Sequence, residues 1–136
     1  MKKMNRKLEY SLMALKHMSR KMPGELTSAK EVSGSYQAPF DATARVMQMM
    51  AQRGLLKSEQ GAAGGYQILK DLSKVTLHDL IDIIEGPTSI AKCIHQEEPC
   101  ELQSSCNIMS PVQALNQKLV EFYKNLSLKE LLFKDR

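Results

Sequence analysis

Three thiols, at Cys93, Cys100 and Cys106, are the side chains of this 136-residue chain best suited to chemistry, and it has no other cysteine. Six residues separate the first pair and five the second, with Pro99 and several small or polar residues between them, which predicts a flexible loop. An odd number of cysteines makes a poor disulfide framework, and the Cys-x-x-Cys pairs of structural zinc sites are absent. Thiolates that converge in one loop instead suit a soft metal. The spacing leaves three chemistries open: an iron–sulfur cluster of the 2Fe-2S or 4Fe-4S type, bound zinc, or reduced thiols that respond directly to oxidants. His95 lies in the same loop and offers a neutral imidazole as a further ligand.

Enzymatic use of these residues is the remote reading. His17, His78 and His95 with Cys93 have the residue types of a thiol hydrolase, and Asp79 and Asp82 those of acid–base chemistry. No spacing sets a nucleophile beside its base and an orienting third group, so the chain is not expected to be an enzyme.

The loop must be held by what flanks it. Before it, Leu77, Leu80, Ile81 and Ile84 form a helical apolar stripe between Val75 and Glu85, capped by Thr76 and broken by Gly86-Pro87. After it, Ser110 as cap and Pro111 in the first turn open a long helix in which Val112, Leu115, Leu119, Phe122 and Leu126 recur at three and four residues. Such a seam on a long terminal helix favours a two-fold homodimer. Ser127 with Glu130 forms a capping box for a short last helix through Leu131 and Leu132.

Upstream, Asn5 caps a helix whose Leu8, Leu12, Leu15 and Met18 share one face, ending before Pro23-Gly24. Ser28 and Glu31 read as a capping box for a helix starting near Ala29, with Gly34 to Ala38 as the turn that follows. Pro39 and Asp41 suit the start of the next helix, Phe40 to Arg53. Ala42, Val46, Met49, Met50 and Arg53 fall on its packing side, and Phe40, Asp41, Ala44, Arg45 and Gln48 on its free side. Gly54 closes the helix in the left-handed conformation that glycine adopts at little cost. A strand (Leu55 to Ser58), a tip (Gln60 to Gly65) with three glycines, and a second strand (Tyr66 to Leu69) then make a hairpin. The fold class is therefore mainly α with a small β hairpin: a winged helix-turn-helix with a long C-terminal dimerisation helix.

A helix-turn-helix leads the N-terminal part of its second helix into the major groove of double-stranded DNA. Asp41, Ala44, Arg45 and Gln48 form the groove-facing set, in which Arg45 suits guanine, Gln48 adenine and Asp41 a cytosine amine. Thr43 and Lys57 suit phosphate, and Gln60, Gly61, Gly64 and Gly65 suit close approach of the wing. Two such heads in a dimer, about 34 Å apart, predict a near-palindromic operator.

Composition agrees with this class. A length of 136 residues and 43% hydrophobic content suit one compact domain, divided as 1–87 (winged helix-turn-helix), 88–108 (cysteine loop) and 109–136 (dimerisation helix and short last helix). Net charge +4 and a pI near 9.0 suit a partner carrying phosphates. With no tryptophan and three phenylalanines there is no aromatic row to stack single-stranded bases. Glu9, Lys16 and His17 interrupt the apolar run after Met1-Lys2-Lys3, so no signal peptide or membrane span is expected and the protein should stay in the cytoplasm.

Gly54-Leu55-Leu56-Lys57-Ser58, the run from Gly61 to Tyr66, Val75 to Ile81 and Glu85-Gly86-Pro87, in that order, resemble the bacterial Rrf-two family of winged-helix regulators, over about Lys7 to Leu132. The resemblance implies an iron–sulfur cluster on the three cysteines, as in its IscR-like and NsrR-like members. IscR-like members place a histidine three residues after the third cysteine, where this chain has Met109; NsrR-like members take an aspartate of the first helix from the other subunit, where it has Glu9. Glu9 is thus the implied fourth ligand and His95 the runner-up. Members often carry an arginine just before the wing glycine, where this chain has Gln60, which weakens a minor-groove anchor. Arg53, Lys57 and Lys70 are then expected to compensate along the backbone.

Overall fold

Helix α1 (Arg6–Met18) starts where the Asn5 side chain accepts a hydrogen bond from the Lys7 amide at 2.8 Å. It turns Leu8, Ala14, Leu15 and Met18 into the core, whereas Leu12 is only partly buried. Ser11 is buried beside them because its hydroxyl has a local acceptor, the Lys7 carbonyl at 2.9 Å. The computed structural model describes residues 3–91, 94, 100–102 and 104–134.

Helices α2 (Ala29–Tyr36) and α3 (Phe40–Gln52) follow. Ser28 caps α2 by accepting from the Glu31 amide at 3.0 Å, but the Glu31 carboxylate does not return the bond. It is drawn away by two cations or donors on α1 and after it, His17 and Lys21, so the expected box is half formed. The turn also lies later than expected. Gly34 stays helical, and Gln37 takes the left-handed conformation, φ 55°. The Ser33 hydroxyl, donating to the Ala38 carbonyl at 2.6 Å, and the Ala38 amide, donating to the Ser33 carbonyl at 3.1 Å, hold it there.

Strands β1 (Leu56–Glu59) and β2 (Gly65–Ile68) pair antiparallel, with Leu56 opposite Ile68 and Glu59 opposite Gly65. Thr27 adds a single bridge to Tyr66, N–H to O at 2.9 Å and O from N–H at 2.8 Å, which fastens the hairpin to the segment that enters α2. A 3-10 turn (Leu72–Lys74) leads to α4 (Leu77–Ile84), where Thr76 and Asp79 complete a reciprocal capping box. The core gathers Leu15, Val32, Val46, Met47, Met50, Leu55, Leu56 and Leu80, all at most 1% exposed. Truncating one of them, as in Leu15→Ala, costs roughly 2–5 kcal/mol through lost transfer energy and the cavity left behind.

After the cysteine loop come α5 (Met109–Lys124) and α6 (Leu128–Phe133). Helix α5 starts one residue before Ser110, with Ile108 at its cap and no side-chain cap bond. Pro111 therefore lies in the first turn, where its missing N–H has no intrahelical partner to lose. At α6 the Ser127 hydroxyl accepts from the Glu130 amide at 3.0 Å, the hydroxyl half of the expected box. The entrances of α4 and α6 are joined by a bridge between Thr76 and Ser127, with Leu77 N–H on the Leu126 carbonyl and Leu128 N–H on the Val75 carbonyl, both at 2.8 Å. Leu128 and Leu132 return the chain's last helix to the head's core. Among the described residues no helix is long and apolar enough to cross a membrane.

Candidate nucleic-acid interface and cysteine loop

Helix α3 presents Asp41, Arg45, Gln48 and Gln52 to solvent, a single stripe at spacings of four, three and four. Its inward side is Thr43, Val46, Met47 and Met50. That side is rotated by roughly 70° from the expected one, at 100° per residue. The apolar run Val46-Met47 and Met49-Met50 covers so much of the helix that periodicity alone cannot choose its centre; packing against α1, α2, β1 and α4 does. Two expectations change as a result. Thr43, expected at phosphate, is fully buried, with its hydroxyl donating to the Pro39 carbonyl at 2.8 Å, so it cannot reach DNA. Arg53, expected on the packing side, is exposed and its guanidinium donates to the Asp82 carboxylate of α4 at 3.0 Å. Gln52, unremarked in the sequence, continues the exposed stripe. Ala44 is half-buried at its margin.

The wing tip divides in two. Gln60 and Gly61 are exposed, whereas Gly64 and Gly65 are half-buried and needed for closure. A Cβ on Gly64 would sit 2.5 Å from the Glu59 carbonyl oxygen, and one on Gly65 2.8 Å from the Thr27 carbonyl oxygen. Those two glycines let the hairpin lie on itself and on Thr27, which is a reason apart from any partner. Lys57 is exposed on β1, with Glu59 of the same strand 3.6 Å away. An exposed pair of this kind exchanges partners at little cost, which leaves the ammonium free for a phosphate.

Four side chains tie α1 and the segment after it to α2. His17 Nε2 lies 2.5 Å from a Glu31 oxygen, Lys21 Nζ is 2.7 Å from the same oxygen, and His17 Nδ1 is 2.7 Å from the Tyr36 hydroxyl. A carboxylate only accepts, so Nε2 donates the first bond, while Nδ1 and the Tyr36 hydroxyl share the second. These hydrogen bonds, His17 first and Lys21 second, hold the Glu31 carboxyl below the usual carboxylate range; the Glu31 bond raises Lys21 in turn. Pairing across helices leaves no local sequence signal, so this cluster is legible only in the folded chain.

The cysteine loop runs between α4 and α5. Cys100 is half-buried and Cys106 exposed. Cys93 and His95 lie outside the described residues. Among the described residues no three His, Cys, Asp or Glu side chains converge. Glu9 sits on α1 at the Arg6 guanidinium, 3.2 Å away, with a third of its side chain exposed (32%). A residue that sequence reading passed over anchors the loop's start: Asn116, buried in the middle of α5, accepts from the Ile90 amide at 3.1 Å and donates to the Thr88 carbonyl at 3.3 Å. Helix α5 otherwise leaves large apolar side chains in solvent, with Leu115 52% and Phe122 61% exposed.

The Rrf2 family model, described as "Iron-dependent Transcriptional regulator", matches residues 4–134. The HTH-type transcriptional regulator CymR of Bacillus subtilis is 26% identical over 111 residues, 82% of this chain and 80% of that protein. The NsrR regulator of Halalkalibacterium halodurans is 21% identical over 125 residues, 91% of this chain and 86% of that protein. Among solved structures, CymR, "the Global Cysteine Regulator of B. subtilis", has a TM-score of 0.74 at 23% identity, with 100% of both chains covered. The IscR structure from T. potens has a TM-score of 0.69 at 18% identity, covering 96% of this chain and 86% of that one. These structures share the winged-helix fold.

Proposed function

The chain belongs to the Rrf2 family of transcriptional regulators, and from that membership we propose that it binds a near-palindromic double-stranded operator as a homodimer, with an affinity set by an iron–sulfur cluster on its cysteine loop. The observation that carries the DNA half is the exposed stripe Asp41, Arg45 and Gln48 on the first turns of α3, together with an exposed wing tip. In the groove, Arg45 donates two bonds to guanine, Gln48 pairs with adenine and Asp41 accepts from cytosine. Lys57 meets phosphate, and Gln60 with Gly61 brings the wing to the adjacent groove. Leu115 and Phe122 supply the apolar seam that a second copy covers, since side chains of that size left in water favour burial by roughly 1.5–3 kcal/mol each. On this reading residues 1–87 read DNA, 88–108 hold the cluster and 109–136 pair the chains.

The donor set fits a cluster. Cys100 and Cys106 are accessible thiols in one loop, soft donors of the kind iron–sulfur groups take. Cys93, Cys100 and Cys106 would hold it, with Glu9 of the other subunit as fourth ligand and His95 as runner-up. Bound there, the group would supply a redox- and ligand-sensitive charge. The chain's own part is mechanical: Asn116 fastens the first residues of the loop to α5, so a change in the loop's tether bears on the helix that sets the separation of the two heads. A coupling of about 1–3 kcal/mol changes operator affinity ~5- to 150-fold. Glu9 must leave Arg6 to serve as ligand, and an exposed pair gives that way easily.

An absorption spectrum with iron and sulfide analysis on protein purified without oxygen tests the cluster. Charge-transfer bands with bound iron and sulfide, lost when all three cysteines become alanine, support it; their loss in E9A but not H95A supports Glu9 as the fourth ligand. A colourless protein after anaerobic reconstitution removes the cluster and leaves a winged-helix regulator whose cysteine thiols sense oxidants or bind zinc. Arg45→Ala should weaken operator binding by about 1–3 kcal/mol and relax discrimination at one base pair; unchanged discrimination would remove Arg45 from the reading set.

A further inference from the structure

We propose that Phe40, with Ala44 one turn along α3, reads the 5-methyl group of a thymine, and so selects an A·T pair at a position that the polar residues do not specify. The proposal rests on the DNA-reading face assigned above. Phe40 is the first residue of α3, at the end of the helix that a helix-turn-helix leads into the major groove. Phe40 is 52% exposed and, among the described residues, is not one of those packed on the core. Tyr36, the neighbouring exposed aromatic, is occupied: its hydroxyl bonds His17 and its ring stands edge-on to the imidazole. Phe40 has no polar atom to satisfy, and its exposed ring awaits an apolar partner.

The helix geometry places that partner. Ala44 lies about 40° around the axis from Phe40 and Gln48 about 40° beyond Ala44, so an apolar edge borders the polar stripe along the same two turns. The methyl side chain of Ala44 leaves space beside the ring where a longer one would fill it. On the floor of the major groove the thymine methyl is the apolar feature, and phenylalanine and alanine are side chains that recognise it by contact. Arg45, Gln48 and Asp41 answer to guanine, adenine and cytosine; Phe40 supplies the remaining base.

The test begins with a random-duplex selection using the full chain purified without oxygen, as isolated and after cluster reconstitution. Every thymine of the recovered operator is then replaced, one position at a time, by deoxyuridine, which removes only the methyl group. One thymine in each half-site should weaken wild-type binding about fourfold on replacement, the effect of one buried methyl. F40A should bind the original operator more weakly by a similar factor and show no further loss with deoxyuridine, while F40L keeps part of the sensitivity. A flat scan with the wild type, or a penalty that survives in F40A, overturns the proposal and leaves DNA binding standing. No enrichment in either preparation overturns the α3 reading face itself, and this proposal with it. Since Phe40 is outside the core, thermal melting of F40A should match the wild type.

Discussion

The Asn116 carboxamide holds the Ile90 backbone, its Oδ1 accepting from the Ile90 amide at 3.1 Å. Its Nδ2 donates to the Thr88 carbonyl at 3.3 Å, so a single buried side chain of α5 fixes both ends of a three-residue segment just upstream of Cys93. Asn116→Leu keeps the volume and removes both bonds. It should destabilise the protein by about 1 kcal/mol, the lower end for part-buried groups that water can reach, and it should accelerate hydrogen exchange of the Ile90 amide. An Ile90 amide protected equally in wild type and variant would mean that the clasp does not order the loop.

Gly64 and Gly65 carry the hairpin's closure. Gly65→Ala places a methyl 2.8 Å from the Thr27 carbonyl oxygen, and backbone rather than a yielding side-chain tip must move. An overpacking cost of about 1–3 kcal/mol is expected, with the loss of protection concentrated at the Thr27 and Tyr66 amides that bridge the two segments. Ala63→Gly, at an exposed tip position, serves as the control and should leave both amides unchanged.

Stability should carry a pH dependence from Glu31. Its folded carboxyl titrates below the ordinary value of 4.5 because His17 and Lys21 donate to it. The unfolded chain therefore takes up the proton first as pH falls, so the contribution is present above the ordinary carboxylate range and is lost as pH drops through the folded value. Comparing urea denaturation of wild type and Glu31→Gln across that interval should give a difference that is largest near neutrality and shrinks in acid. A difference that is flat with pH would show that the charge of Glu31 contributes nothing.

Thr27 offers the opposite case. Its hydroxyl is fully buried and, among the described residues, has no hydrogen-bond partner, although its backbone bridges Tyr66. Thr27→Val replaces the hydroxyl with a methyl of similar shape and should raise stability by about 1 kcal/mol, since a desolvated, unpaired polar group is removed. Chemical denaturation decides it, and a destabilised variant would mean that the hydroxyl is satisfied in solution.

What the sequence determined by itself was local. Asn5, Ser28, Thr76 and Ser127 each cap the helix expected of them, because a cap needs only a side chain and an amide two or three residues on. The apolar periods placed the helices, and the ordered motifs from Gly54 to Pro87 identified the family, since these are properties of neighbouring residues. Tertiary packing decided the rest. Which half of α3 faces inward depended on α1, α2, β1 and α4 closing around it, and that rotation buried Thr43 and released Arg53 to Asp82. Likewise Glu31, which the local pattern assigned to its own cap, is held by His17 fourteen residues earlier and Lys21 beyond it, and Asn116 reaches a backbone twenty-six residues away. A hydrogen bond depends on distance in space, and over such separations only the folded chain determines that distance.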